Sequence, residues 1–236
     1  MSAEAERAAL RFLLCAPLLH ADMIAMVKSG KCAILSAGER GVLLRFGGGF
    51  MMSALDRTAA DALLAMVPAA DLFDAHQAFY AEDARKKFGL SNRLECRQAV
   101  WTRNEPLPEA SSPAEIRPVG AEFLPFLLRH YTHADINGAE YLRERLATGT
   151  FFGAFVGGKP AGFIGTHEEG SMGFLEVLPE YRRRGIAAAL ETFQANRILA
   201  GGGVPFAQIE PDNVASLLLH RRLGFELSEQ SIFWLF

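Results

Sequence analysis

The chain has 236 residues, half of them apolar, enough for one large domain or two small ones with a sizeable core. Its formal net charge of −3 excludes nucleic-acid or anionic-membrane binding that rests on bulk electrostatics. Cys15, Cys32 and Cys96 are widely spaced, make no metal-ligand or disulfide pattern, and suit a reducing cytoplasm.

The apolar start "AALRFLLCAPLLHADMIAMV" is expected to be neither a signal nor a membrane span, because Arg11, Pro17, His20 and Asp22 interrupt it. Residues 4–27 read as helical. "CAILSAGERGVLLRF" reads as a hairpin turning at Gly38–Gly41, and "GFMMSAL" as a further strand. "DRTAADALLAMV" is a helix with Asp56 as its cap, and "DLFDAHQ" a short strand. The helix "AEDARKKFG" and the strand "LECRQAVW" follow. Residues 102–115, "TRNEPLPEASSPAE", have the proline, serine and charge of a linker.

After that seam, "EIRPV" is a strand, and two helical stretches surround "AEFLPFLLRHY" and "GAEYLRERLATG". "TFFGAFV", "KPAGFIGTH" and "SMGFLEV" are three strands joined by turns. Then come a helix from Gly185, the strand "VPFAQIE", a helix from Asn213 and the closing strand "QSIFWLF". A meander followed by alternating helix and strand implies a mixed sheet with helices on its faces. The first half shows a similar order, and "KKFGL" before "LECRQAVW" parallels "RRLGF" before "QSIFWLF", which points to a diverged internal duplication.

The stretch "LPEYRRRGIAAAL" carries the chemistry. A strand ends at Pro179, the chain turns through Glu180 to Arg184, and a helix begins at Gly185. The first amides of that helix lack intrahelical partners and lie at the positive end of its dipole, which makes an anion site. Gly185 and the small Ala187 let a pyrophosphate approach the backbone, while Ile186, Leu190 and Phe193 anchor the helix on the sheet. Alone, the arginine run reads equally well as a solvated helix start. A second constellation, "NVASLLLHRRLGF", sets Asn213, Ser216 and His220 on one polar stripe of a leucine-rich helix that ends at Gly224.

With both constellations in place, residues 116–236 resemble the GNAT superfamily of acyl-CoA-dependent N-acyltransferases. The family's cofactor motif is matched by Val177, Leu178 and Pro179, then Arg182, Gly185 and Ala187, with Arg183, Arg184 and Ile186 between. Its second pattern is matched by Asn213, Ser216, His220 and Leu223–Phe225. The resemblance implies an α/β (α+β) fold with a mixed, splayed sheet flanked by helices, and acetyl-CoA as co-substrate in the gap, with no metal. Residues 1–101 resemble the family only in the order of elements, so the implied organisation is a degenerate, smaller GNAT-like domain (1–101), a linker (102–115) and an acetyltransferase domain (116–236).

Where the family commonly has a tyrosine that protonates the departing coenzyme A thiolate, this chain has His220. An imidazole with a free pKa of about 6.5 can take that role, or can simply line the helix. For the base that deprotonates the acceptor amine, Glu169 in "THEEGSMGF" is the choice, with His167 and Glu176 behind it and Glu168 beside it. His130, His133 and Asp135 have no recognised ligand spacing and are expected to line the acceptor pocket. The resemblance implies transfer of an acetyl group to a primary amine of a small molecule or peptide by direct attack in a ternary complex. The expected setting is the cytoplasm, with no nucleic-acid or membrane partner and with a homodimer left open. The alternative is a non-catalytic acyl-CoA-binding or interaction module.

Overall fold

The computed structural model describes residues 2–236, with residues 134–137 described by their backbone alone. The chain divides into two compact units, Met1–Val100 with Gln208–Phe236, and Trp101–Ala207.

In the first unit the helical start is two helices, α1 (Ala3–Leu13) and α2 (Ala21–Ser29), not one. Pro17 lies in the break; it lacks an N–H and disfavours the helical region for the residue before it. The strands β1 (Ala33–Gly38), β2 (Gly41–Phe46) and β3 (Gly49–Ala54) form an antiparallel meander. α3 (Arg57–Ala65) crosses over to β4 (Leu72–Ala75), which pairs parallel to β3. After α4 (Ala78–Phe88) comes β5 (Arg93–Val100). The last two elements of the chain, α8 (Val214–Leu223) and β11 (Glu226–Leu235), return to this unit. β11 lies antiparallel between β4 and β5. It begins four residues earlier than its composition indicates, because Glu226 and Leu227 pair with Val100 and Ala99.

Val42, Leu43 and Leu44 of β2 are an apolar run because both faces of the strand are covered there. Leu43 and Met52 pack towards α3 and α4 with Phe73 and Tyr80, while Leu44 and Met51 pack towards α1 and α2 with Leu13 and Met23. Period-two alternation has divided one strand between two cores.

The second unit opens with β6 (Glu115–Pro118), α5 (Leu124–His130) and α6 (Ala134–Ala147), the last broken at Gly138. β7 (Phe152–Val156), β8 (Lys159–Thr166) and β9 (Met172–Val177) extend β6 into an antiparallel meander. α7 (Ile186–Ala200) leads into β10 (Phe206–Ile209), which meets β9 in parallel through one register pair, Ala207 and Met172. Ile186, Leu190 and Phe193 seat α7 on Phe152, Ala154 and Ile164, as their spacing predicts. Leu127, Leu142 and Leu146 from α5 and α6 cover the opposite face at Phe155, Phe163 and Phe174.

Leaving aside β6 and the short 3-10 turns of the second, both halves thus run helix, helix, three strands, helix, strand, helix, strand. α4 and α8 each end on a left-handed glycine, Gly89 (φ 68°) and Gly224 (φ 94°), before the strand that follows. The fold is mixed α/β and built on a repeated order of elements.

Candidate functional site

The anion loop lies in the second unit. β9 stops at Val177, and Pro179–Tyr181 form a single 3-10 turn. The backbone then passes through Arg183 in the left-handed region (φ 63°), an uncommon conformation for a side chain that is not glycine. Gly185 (φ 77°) caps α7 with no side-chain hydrogen bond. The first turn of a fifteen-residue helix therefore begins without a carboxylate or hydroxyl over its amides. Arg182, Arg183, Arg184 and Gly185 are exposed, Ile186 is buried beneath them, and Ala187 is half-buried.

Two features of this loop were hidden in its sequence. Arg182 does not reach outward: its Nε donates to Val177 O at 3.0 Å, tying the end of β9 to the loop. Gly185 is constrained by the protein itself, since a Cβ there would lie 2.3 Å from Ser111 O. A valine at 185 would strike that carbonyl, so the glycine is required by the protein's own backbone as well as by any ligand. Leu178 is held by its N–H to Ala161 O at 2.9 Å.

The turn between β8 and β9 holds a second cluster of the same unit. Glu169 is buried and accepts from the Ser171 hydroxyl. The Tyr141 hydroxyl accepts from Glu168 N–H at 3.3 Å and lies 3.1 Å from His167 Nδ1. Burial, then the charges of Arg145 and His133, lower the His167 pKa to about 3, so this imidazole is neutral and serves as an acceptor for the tyrosine. Burial, and then the charge of Glu169, push the Tyr141 hydroxyl up. Arg145 donates to Thr166 O and His167 O at 3.0 and 3.3 Å. Tyr141 and Arg145 escaped the sequence reading, although at i and i+4 on α6 they share a helix face.

Beside this cluster β9 bulges. Phe163 and Gly165 of β8 face Glu176 and Gly173, which leaves one extra residue on β9, and Phe174 takes a φ of 56°. Glu176 accepts from both the backbone N–H and the hydroxyl of Thr132, so it anchors the end of α5 to β9. His130 stacks near Phe126 at 4.5 Å between ring centroids, and His133 lies 5.7 Å from Tyr131. The side chain of Asp135 lies outside the described residues.

Asn213, Ser216 and His220 belong to the first unit. Asn213 is the N-cap of α8, its side chain accepting from Ser216 N–H at 3.1 Å. His220 is buried, and its Nδ1–H donates to Ser216 O at 2.9 Å, so Nδ1 carries a proton. The ring meets Phe225 edge-on at 5.1 Å.

The first unit also buries a polar knot that no motif announces. His76 Nε2–H donates to Asp22 Oδ1 at 2.8 Å, Gln208 Nε2 donates to Asp22 Oδ2 at 2.9 Å, and His20 Nε2 meets Ser53 Oγ at 2.8 Å. Burial raises the Asp22 carboxyl, but the charge and hydrogen bond of His76 and the neighbouring Gln98 and Asp74 together bring it below its ordinary value. Burial, then the charge of His76, lowers His20 to about 4. Asp22, Asp74 and His76 are the one group among the described residues whose ligand atoms lie close enough to hold a metal ion, within 4.8 Å of one another. At 2.8 Å the His76–Asp22 contact is a charge-assisted hydrogen bond. No helix among the described residues is long and apolar enough to cross a membrane.

Residues 120–225 match the acetyltransferase (GNAT) family. No curated protein matches the chain. Among solved structures, a Drosophila protein superposes with a TM-score of 0.68 at 17% identity, over 83% of this chain and 73% of its own. An acetyltransferase of the GNAT family from Colwellia psychrerythraea gives 0.53 at 14% identity, over 97% of both chains. A tandem GNAT protein of the clavulanic acid biosynthesis pathway gives 0.50 at 17% identity, over 98% of this chain and 93% of that one. At these identities the likeness is one of fold. The family match makes residues 120–225 a GNAT acetyltransferase domain, the domain of an acyltransferase enzyme.

Proposed function

We propose that the protein transfers the acetyl group of acetyl-CoA to a primary amine of a small molecule or peptide, by direct attack in a ternary complex in the cytoplasm. One observation carries the reading: within the matched domain, α7 begins at a left-handed glycine with no capping side chain, two residues after a strained arginine. Strain is retained where a function requires it, and an uncapped helix start binds phosphate through amides and dipole. Ile186, Ala187 and the adjoining amides bind the pyrophosphate, and the exposed Arg183 and Arg184 add attraction screened by water. Val177 O, presently bonded to Arg182, receives the pantetheine arm when Arg182 yields it.

Glu169 takes the proton that the acceptor ammonium, with a pKa of about 10, must lose before it attacks. In this role the Ser171 hydroxyl orients the carboxylate. His220 returns a proton to the thiolate. Because its Nδ1–H is bonded to Ser216 O, that proton comes either by breaking this helix bond or from Nε2 of the protonated ring. Asn213 and Ser216 serve the same end indirectly, since the cap sets the first turn of α8. We assign residues 116–236 as the acetyltransferase domain and 1–101 as a related half without a cofactor, joined by 102–115. The test is release of free coenzyme A from acetyl-CoA, with and without a panel of amino acids, polyamines, aminoglycosides and peptides. Release accelerated by at least one amine supports the enzyme. Binding without accelerated release by any of them leaves a non-catalytic acyl-CoA-binding module.

A further inference from the structure

Residues 102–115 have the composition of a linker, yet in the second unit this stretch and Trp101 before it are strapped to α7. Trp101 is buried, with its indole Nε1 donating to Glu105 O at 3.0 Å. Leu107 is buried, and Asn196 of α7 clasps its backbone with both amide atoms. Leu107 N–H donates to Asn196 Oδ1 at 2.7 Å, and Asn196 Nδ2 donates to Leu107 O at 3.0 Å. Further on, Ala114 packs with Ile186 and Leu190 at the base of the same helix. Between these anchors the Ser111 carbonyl is pressed against Gly185.

Between Leu107 and Ser111 the strap runs back along α7 from Asn196 towards Gly185. Pro108, next to the clasp, holds its own φ near the extended value.

We infer that Asn196 is a positioning residue for the anion loop: by clasping the strap against α7 it backs Gly185 with the Ser111 carbonyl and holds the start of α7 in its left-handed, anion-ready form. Glycine has the widest conformational freedom of any residue, so the one at this cap needs an external restraint to remain in a single well. A loop ordered before binding loses less entropy on binding. The inference rests on acetyl-CoA being the ligand of this loop.

Two variants loosen the strap by different means, Asn196→Ala by removing the clasp and Pro108→Gly by freeing the exposed backbone beside it. Amide hydrogen exchange across residues 182–188 should quicken in both. The Kd of acetyl-CoA by calorimetry should rise about five- to tenfold, with kcat at saturation unchanged. Asn196→Asp, which keeps the acceptor for Leu107 N–H, should fall between. Faster exchange at 107–112 with none at 182–188, or an unchanged Kd, overturns the inference. A merely structural asparagine would lower Tm without separating Kd from kcat. If wild type fails to bind acetyl-CoA, the proposed function falls, and the exchange pattern still decides whether the strap orders the loop.

Discussion

The β3–α3–β4 crossover of the first half and the β9–α7–β10 crossover of the second have the same order of elements and differ at the helix start and in the pairing of their parallel strands. β3 and β4 pair over four residues, from Gly49–Leu72 to Met52–Ala75, whereas β9 and β10 share one pair, Met172 and Ala207. α3 begins on Asp56, whose carboxylate accepts Ala59 N–H at 3.0 Å and bonds Arg40 at 2.5 Å. α7 begins on Gly185 with nothing of the kind. One helix start carries its own carboxylate; the other carries no capping side chain, and it is there that we propose the pyrophosphate binds. A repeated order of elements therefore leaves open the capping residue and the closure of two parallel strands, and on our proposal those two features set the halves apart in binding.

The largest expected effect comes from filling the space at the second helix start. Gly185→Val should abolish measurable acetyl-CoA binding in calorimetry and cost roughly 2–4 kcal/mol of stability, since the side chain meets a positive φ and the Ser111 carbonyl together. Binding at wild-type affinity in a folded Gly185→Val protein would remove the anion site. The reverse change, Asp56→Gly, should lower Tm only slightly and should not confer binding on the first half, because β3 and β4 stay paired. Acetyl-CoA binding at a second site in that variant would show that the cap alone separates the halves.

Acid sharpens the comparison next, since each half buries a neutral histidine, His20 with a pKa of about 4 and His167 with one of about 3. Both pKa values are depressed in the fold, so the stability they contribute is complete above about 6.5 and is lost as pH falls towards the folded values. For His20 the loss is about 3 kcal/mol between pH 6.5 and 4. Urea titrations across that range should show it, and His20→Gln should flatten the first unit's share; an unchanged slope would mean another group carries the acid sensitivity.

Smaller still are the chemical steps. His220→Phe should lower kcat more than it raises Kd, and unchanged values of both would leave His220 as a helix-lining residue. Glu169→Gln should remove from the pH–rate profile the acid-side limb along which the carboxylate is protonated, and an unaltered profile would end its assignment as the base. Arg183→Ala and Arg184→Ala should each weaken acetyl-CoA binding within about 1 kcal/mol, because exposed charges are screened and the amides carry the contact. A loss many times larger would move the recognition from backbone to side chains.

Much of this molecule was legible one turn or one strand at a time. Asp56 before an alanine-rich run announced the cap of α3, Pro179 announced the end of β9, and the glycines of "KFG" and "RLG" announced the left-handed ends of α4 and α8. Asn213 was legible as a cap by the same rule, and the stripe reading obscured it. These features depend on groups within about four residues of each other, so the local order of side chains determines them. What joins distant residues was decided only by packing. β11 extends to Glu226 because β5 offers it Val100, and α1 separates from α2 where Pro17 breaks the backbone and His20 turns in to Ser53. The strap is held by Leu107 and Asn196, 89 positions apart, and the buried Asp22 is reached by His76 and by Gln208, 54 and 186 positions away. No period or motif carries such contacts, because each arises when two surfaces bury together and every polar group trapped between them must find a partner.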